Sequence, residues 1–210
     1  MSYAPVVRVR EVRGDGEPLQ ALSARQVRTY KEARADVWGL GSVPAAGRFM
    51  VMVAGAPGSG KTCYSYMVGQ SWIRSRGESV LFVSAEEGVS ESVGARLRWL
   101  EIAEERIFIV PGCAPCDALS TARAHDVGLL ILDSWSVAGW SLTDLAQLRD
   151  SFSILFVVHL TKQDDPAGPR YLEHYVDQVV RIENGRFEHT KNRFGDLQSG
   201  RVFGADLDGV

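Results

Sequence analysis

The sequence predicts an α/β fold: a mainly parallel sheet flanked by helices, with an antiparallel meander at its C-terminal end. Three observations lead there. Between Phe49 and Leu160, short apolar runs rich in β-branched residues alternate with helical patterns, as successive βα units do. The runs are apolar throughout, as strands covered on both faces require. Residues Gly55-Ala56-Pro57-Gly58-Ser59-Gly60-Lys61-Thr62 form a complete G-x-x-x-x-G-K-T loop between one such run and a helical pattern. That strand–loop–helix setting is the one in which this motif cradles phosphates.

Taken in order, Val6 to Val12 alternates apolar and charged residues like a short solvent-facing strand, and Gly14-Asp15-Gly16 ends it. Ser23 can cap an amphipathic helix reaching about Val37. Gly39 to Gly47 is turn-rich. Residues 1–47 are expected to form an arm or linker, suited to docking on a neighbouring subunit, and 48–210 the main domain. Within that domain the strand candidates are 49–54, 79–84, 107–110, 127–133 and 153–159. The helix candidates are 61–75, 90–103, 115–125 and 141–151. Leu142, Leu145, Ala146 and Leu148 give the last helix its apolar face. Segments 176–182, 186–191 and 201–205 read as the meander.

Composition narrows the function classes. With 210 residues the chain can build one sizeable core. A net charge of −3 excludes a chain that is basic overall, so any nucleic-acid contact must be local. No apolar run approaches the roughly 18 residues of a membrane span. The N-terminal residues lack the apolar core of a secretory signal, so the expected location is cytoplasmic, with no membrane partner. Cys63, Cys113 and Cys116 offer no disulfide framework. Cys113-Ala-Pro-Cys116 has redox or half-zinc-site spacing but no second ligand pair, which favours two thiols that merely lie close.

The loop sets the expected chemistry. Its glycines let successive N–H groups turn inward, and the following helix adds the positive end of its dipole. Gly55, Pro57, Gly58, Ser59, Gly60, Lys61, Thr62 and Cys63 are the candidate nucleotide-binding residues, with Lys61 reaching the β- and γ-phosphates of ATP and Thr62 holding Mg²⁺. The run Leu129-Leu130-Ile131-Leu132-Asp133 is an apolar strand ending in an acid; Asp133 is the second candidate Mg²⁺ residue. Glu86, just beyond the strand 79–84, is the candidate base for the attacking water, with Glu87 as the alternative. His159, at the end of another strand, is a candidate γ-phosphate sensor. Trp135 and Trp140 either stack on bases or pack in the core, and packing is the favoured reading.

Three pieces of the last third add a resemblance. His159-x-Thr161-Lys162, Ala167-Gly168-Pro169-Arg170-x-Leu172-Glu173-His174-x-Val176-Asp177 and Lys191-Asn192-Arg193-Phe194-Gly195 resemble the RadA/Sms family of bacterial DNA-repair ATPases. Val83-Ser84-Ala85-Glu86-Glu87 is similar to that family's Val-Ser-Gly-Glu-Glu segment, and the likeness covers roughly 39–205. It implies a RecA-like P-loop ATPase core that forms a homo-oligomer, a hexameric ring, binds single-stranded DNA and acts in recombination, repair or replication. It also implies catalytic roles for Lys61, Glu86, Lys191 and Arg193, the last two acting across the subunit boundary. The family's four-cysteine zinc finger and Lon-protease-like domain have no counterpart in the sequence.

Two expectations of different class follow. One is a DNA-stimulated ATPase motor, in which Lys162 and Arg170 contact phosphates in a central channel. The other is an ATP-gated assembly or adaptor module that turns over slowly and recruits a protein partner.

Overall fold

The computed structural model describes residues 33–45, 47–160 and 172–202. Lys162, Arg170, the 6–12 strand and the Ser23 cap lie outside the described residues. The chain divides between residues 32 and 33, and the description concerns the part from 33 onward.

Residues 33–45 contribute a hairpin, β1 (Arg34–Val37) and β2 (Gly41–Pro44), paired antiparallel from Arg34 against Pro44 to Val37 against Gly41. A helix reaching Val37 is therefore corrected at 34–37, which is strand: pairing with β2 overrides the local helical pattern. After β3 (Met50–Gly55) come α1 (Lys61–Arg76), β4 (Ser79–Ser84), α2 (Glu91–Trp99), β5 (Ile107–Pro111), α3 (Pro115–Ala124) and β6 (Val127–Asp133). Then follow α4 (Trp135–Ala138), α5 (Leu142–Arg149), β7 (Ser153–His159), α6 (Leu172–Tyr175), β8 (Gln178–Glu183), β9 (Arg186–Asn192) and β10 (Ser199–Arg201).

Among the described residues the main sheet has the order β10-β9-β8-β3-β7-β6-β4-β5. The strands from β8 to β5 run parallel; β9 pairs antiparallel with β8, and β10 pairs antiparallel with β9. The expected meander is thus present in part: its first strand is a parallel neighbour of β3, and its third lies at Ser199–Arg201 rather than over 201–205, of which 203–205 lie outside the described residues. The remaining parallel strands are connected through helices, as parallel pairing demands.

The apolar strands serve two cores at once. Val51, Val53, Phe82, Leu129, Ile131, Leu155 and Val157 face one way, toward Tyr64, Val68 and Trp72 of α1. Met50, Met52, Leu81, Val83, Leu130, Leu132, Ile154 and Phe156 face the other, toward Ala118 of α3 and Leu145 of α5. This two-sided burial explains why period-2 alternation is missing from the sequence. Val37, Leu40 and Val43 of the hairpin join the α1 side. His189 and Gln178 fasten that hairpin by donating to Gly39 O at 2.7 Å and Leu40 O at 2.9 Å.

The layout fixes where chemistry can sit. Because β3, β4, β6 and β7 run the same way, Gly55, Ser84, Asp133 and His159 all reach the same edge of the sheet. Crevices at the carboxyl edge of such sheets are where ligands bind.

Candidate active site

The phosphate loop leaves β3 at Gly55, where a side chain would have no room: a Cβ would stand 2.5 Å from both Ile182 O and Ser59 Oγ. Gly60, with φ 104°, turns the chain into α1 in a region that favours glycine, and no side chain caps the helix. The first N–H groups of a sixteen-residue helix are therefore not spent on a cap, and its dipole favours an anion there. Lys61 is buried, and its Nζ donates to Gly55 O at 2.8 Å and Ala56 O at 2.6 Å. Burial lowers its pKa, against the pull of Glu86 and Asp133.

A cleft of about 570 Å³ opens above the loop, lined among others by Lys61, Thr62, Glu86, Arg96, Asp133 and His159. Pro57, Gly58, Gly60 and Cys63 line it too. The Thr62 hydroxyl donates to Asp133 Oδ1 at 3.2 Å. Asp133 is 2% exposed; burial, then repulsion from Glu86, pushes its pKa up to about 6, with the Thr62 bond opposing.

These residues fit ATP with Mg²⁺. An uncapped helix start and a buried lysine suit phosphate oxygens. A hydroxyl touching a buried carboxylate suits a hard divalent cation, which prefers oxygen ligands and would favour the charged form that burial disfavours. Among the described residues no three His, Cys, Asp or Glu side chains converge as a metal-binding group. Mg²⁺ would then be held partly by phosphate and water, the usual manner for this ion.

Around Asp133 the tips of neighbouring strands meet. Glu86 follows β4 and His159 ends β7; the two flank β6 in the sheet, and Glu86 Oε1 lies 2.8 Å from His159 Nε2. Glu87 is held differently. Its carboxylate accepts from Arg96 Nη1 at 2.9 Å, Arg96 Nη2 at 2.8 Å and Ser92 Oγ at 2.9 Å. The Arg96 bonds hold the Glu87 pKa below its ordinary value.

Lys191 and Arg193 are not brought to this cleft. Lys191 pairs with Val179 and Gln178 with Val51, so both cations stand near the amino ends of β3 and β8, the edge opposite the phosphate loop. Lys191 Nζ donates to the carbonyls of Glu173 and Val176. Arg193 donates to Asp177 Oδ1 at 3.3 Å and His174 O at 3.2 Å, with its side chain 51% exposed. Asp177 is buried; it also accepts from Met50 N at 2.9 Å and pairs with Arg149 at 3.2 Å.

The tryptophans pack. Trp140 is buried and donates from Nε1 to Cys113 O at 2.9 Å, while Trp135 meets Phe156 edge-on. Cys63, Cys113 and Cys116 are free thiols. No helix among the described residues is long and apolar enough to cross a membrane.

Two features escape sequence reasoning. Ser134 is buried with φ 77°, a backbone region that non-glycine residues seldom occupy, directly after Asp133. Arg96 lies nine residues beyond the glutamate it grips. A Glu-Glu pair followed by an arginine-bearing helix was its only trace in the sequence.

Comparison with known proteins bears on this geometry. Over 219 residues the chain is 29% identical to DNA repair protein RadA of Listeria monocytogenes, covering 90% of this chain and 47% of that protein. It is likewise 29% identical to DNA repair protein RadA of Synechocystis sp., over 90% of this chain and 46% of that one. The chain resembles RadA. The RadA of Mycobacterium tuberculosis is also 29% identical, over 85% of this chain and 42% of its own length. The chain thus spans under half the length of these RadA proteins. Among solved structures it is similar to an ATPase domain, with a TM-score of 0.52 and 16% identity, covering 72% of this chain and 80% of that one. The fold is RecA-like, as the RadA resemblance implied. No family model matches the chain.

Proposed function

We propose that this chain is a RadA-like ATPase that hydrolyses ATP at a site shared between copies of itself, binds single-stranded DNA and acts in repair, recombination or replication. One observation carries the proposal. The phosphate loop, Asp133 and Glu86 share one cleft, while Lys191 and Arg193 stand at the opposite edge of the same sheet. Those two cations cannot reach the cleft of their own chain. In this proposal they serve the cleft of a neighbouring copy instead.

In this reading Lys61 exchanges the Gly55 and Ala56 carbonyls for the β- and γ-phosphates, and its charge opposes the one that builds up on the transferred group. Thr62 and Asp133 would hold Mg²⁺, which when bound would neutralise phosphate charge. Glu86 accepts a proton from the attacking water. His159, 2.8 Å from Glu86, senses whether the γ-phosphate is in place. Arg193 and Lys191 complete the site from the next copy, as a charge supplied in trans does in other phosphoryl-transfer enzymes. Residues 1–47 serve as an arm or linker and 48–210 as the ATPase domain. The expected place of action is the cytoplasm.

The resemblance to RadA supports the DNA side of the proposal. Steady-state ATP hydrolysis with and without a single-stranded oligonucleotide, at low and moderate salt, tests it. Stimulation by the oligonucleotide is the expected result. Hydrolysis indifferent to DNA, joined to partner binding that follows the bound nucleotide, would instead favour the assembly module.

A further inference from the structure

We propose that Arg96 is a positioning residue of the hydrolytic site: it clamps Glu87 onto α2 and so fixes the turn that carries Glu86. The inference rests on the ATPase reading and extends it to a residue given no role so far.

The argument starts from the two adjacent carboxylates. Glu87 has its oxygens occupied by three donors, two from the Arg96 fork and one from Ser92. A carboxylate so satisfied, with its pKa drawn down by the guanidinium, is a poor proton acceptor. Among the described residues Glu86 makes one side-chain hydrogen bond, to His159, and it lines the cleft. Consecutive residues of one tight turn thus have opposite duties. Gly88 N donates to Ser84 O at 3.1 Å across that turn, and Gly88 has φ 63°. The backbone between Ser84 and Gly88 is therefore short, and anchoring the side chain of Glu87 restricts where Glu86 can point.

The clamp has a reason to be needed. α2 is held to the core by little apolar surface: Val93 is its one buried residue, with Leu97 packed part-buried beside it. The Arg96–Glu87 pair joins it to the tip of β4. The pair is also shielded, with side chains 23% and 31% exposed, and a planar bidentate fork gives a direction that a point charge does not. A misplacement of about 1 Å in a reacting group can cost on the order of 100-fold in rate, so this direction matters to a base that must align a water.

The test uses the full chain with MgATP, measuring turnover, binding of a fluorescent ATP analogue and the thermal midpoint for Arg96→Ala, Arg96→Lys, Glu87→Ala and the double Arg96→Ala/Glu87→Ala variant. The expected result for Arg96→Ala is a fall in kcat of about tenfold or more, with analogue affinity within about threefold of wild type. Arg96→Lys keeps the charge but not the fork, and recovers part of the rate. The double variant is no slower than the slower single variant, because both remove the same clamp. An Arg96→Ala protein with wild-type kcat overturns the inference, as does one whose rate falls only in step with lost folded protein. A wild-type chain that hydrolyses no ATP overturns the ATPase reading and this inference together. A wild type that turns over normally beside an unaffected Arg96→Ala overturns this inference alone.

Discussion

Lys61→Ala separates the chemistry of the cleft from the stability of the fold. Lys61 is 5% exposed and donates to two loop carbonyls. Removing it forfeits two charge-assisted hydrogen bonds, each of about 1.5–3 kcal/mol. It also removes an ammonium whose burial costs several kcal/mol, a cost visible in its lowered pKa. These contributions oppose each other, and the expected net change is about 1 kcal/mol or less, or about 2–4 °C in the thermal midpoint for a chain of this size. Turnover has no such compensation. Loss of one preorganised donor to the developing charge costs about 100- to 1,000-fold. Phosphate release under saturating MgATP, beside a thermal melt of the same sample, reads both quantities. A variant within about threefold of wild-type turnover, at an unchanged midpoint, refutes the assignment of Lys61. A midpoint lowered by more than about 10 °C refutes the argument that burial offsets the lost bonds.

Other perturbations probe other parts of the account. Glu86→Gln is expected to retain ATP binding and lose turnover, so that bound ATP is recovered unhydrolysed from the isolated complex; normal turnover transfers the base role to Glu87. His189 supplies a pH dependence of stability. Burial lowers its pKa, and its Nε2 holds Gly39 O, so the unfolded chain takes up the proton first as pH falls below about 6.5. The stability this histidine contributes is complete above that value and lost on acidification. Urea midpoints at pH 7.5 and 5.5 are expected to differ more for wild type than for His189→Gln; an equal difference shows that His189 contributes nothing to it.

How much of this was legible in the sequence depends on the range over which each feature is encoded. The strands β3, β4, β6 and β7 were readable because an apolar run bounded by turns is a local signal, and their tips brought Lys61, Glu86, Asp133 and His159 to one edge with no further information. The hairpin was not readable. Arg34–Val37 becomes strand through pairing with Gly41–Pro44 and burial of Val37 against α1, neither of which a single segment displays. The helix expected over 90–103 ends at Trp99, because Leu100 and Glu101 bond back to Arg96 and Arg98 in a terminating turn and Glu101 takes φ 54°. The four-residue helices α4 and α6 carry too few residues for a periodic signal. Position within the sheet was also hidden: the motif Lys191 to Gly195 reads the same whichever edge it occupies. It is the parallel pairing of β8 with β3 that puts it opposite the phosphate loop.

The central claim, a site shared between copies, is tested most directly by mixing two dead variants. Lys61→Ala chains retain Arg193, and Arg193→Ala chains retain an intact cleft. Under conditions where subunits exchange, the account predicts that the mixture regains part of the wild-type hydrolysis rate, from boundaries where the intact cleft meets the intact arginine. A mixture that stays as inactive as its components, with exchange demonstrated by labelled subunits, contradicts it.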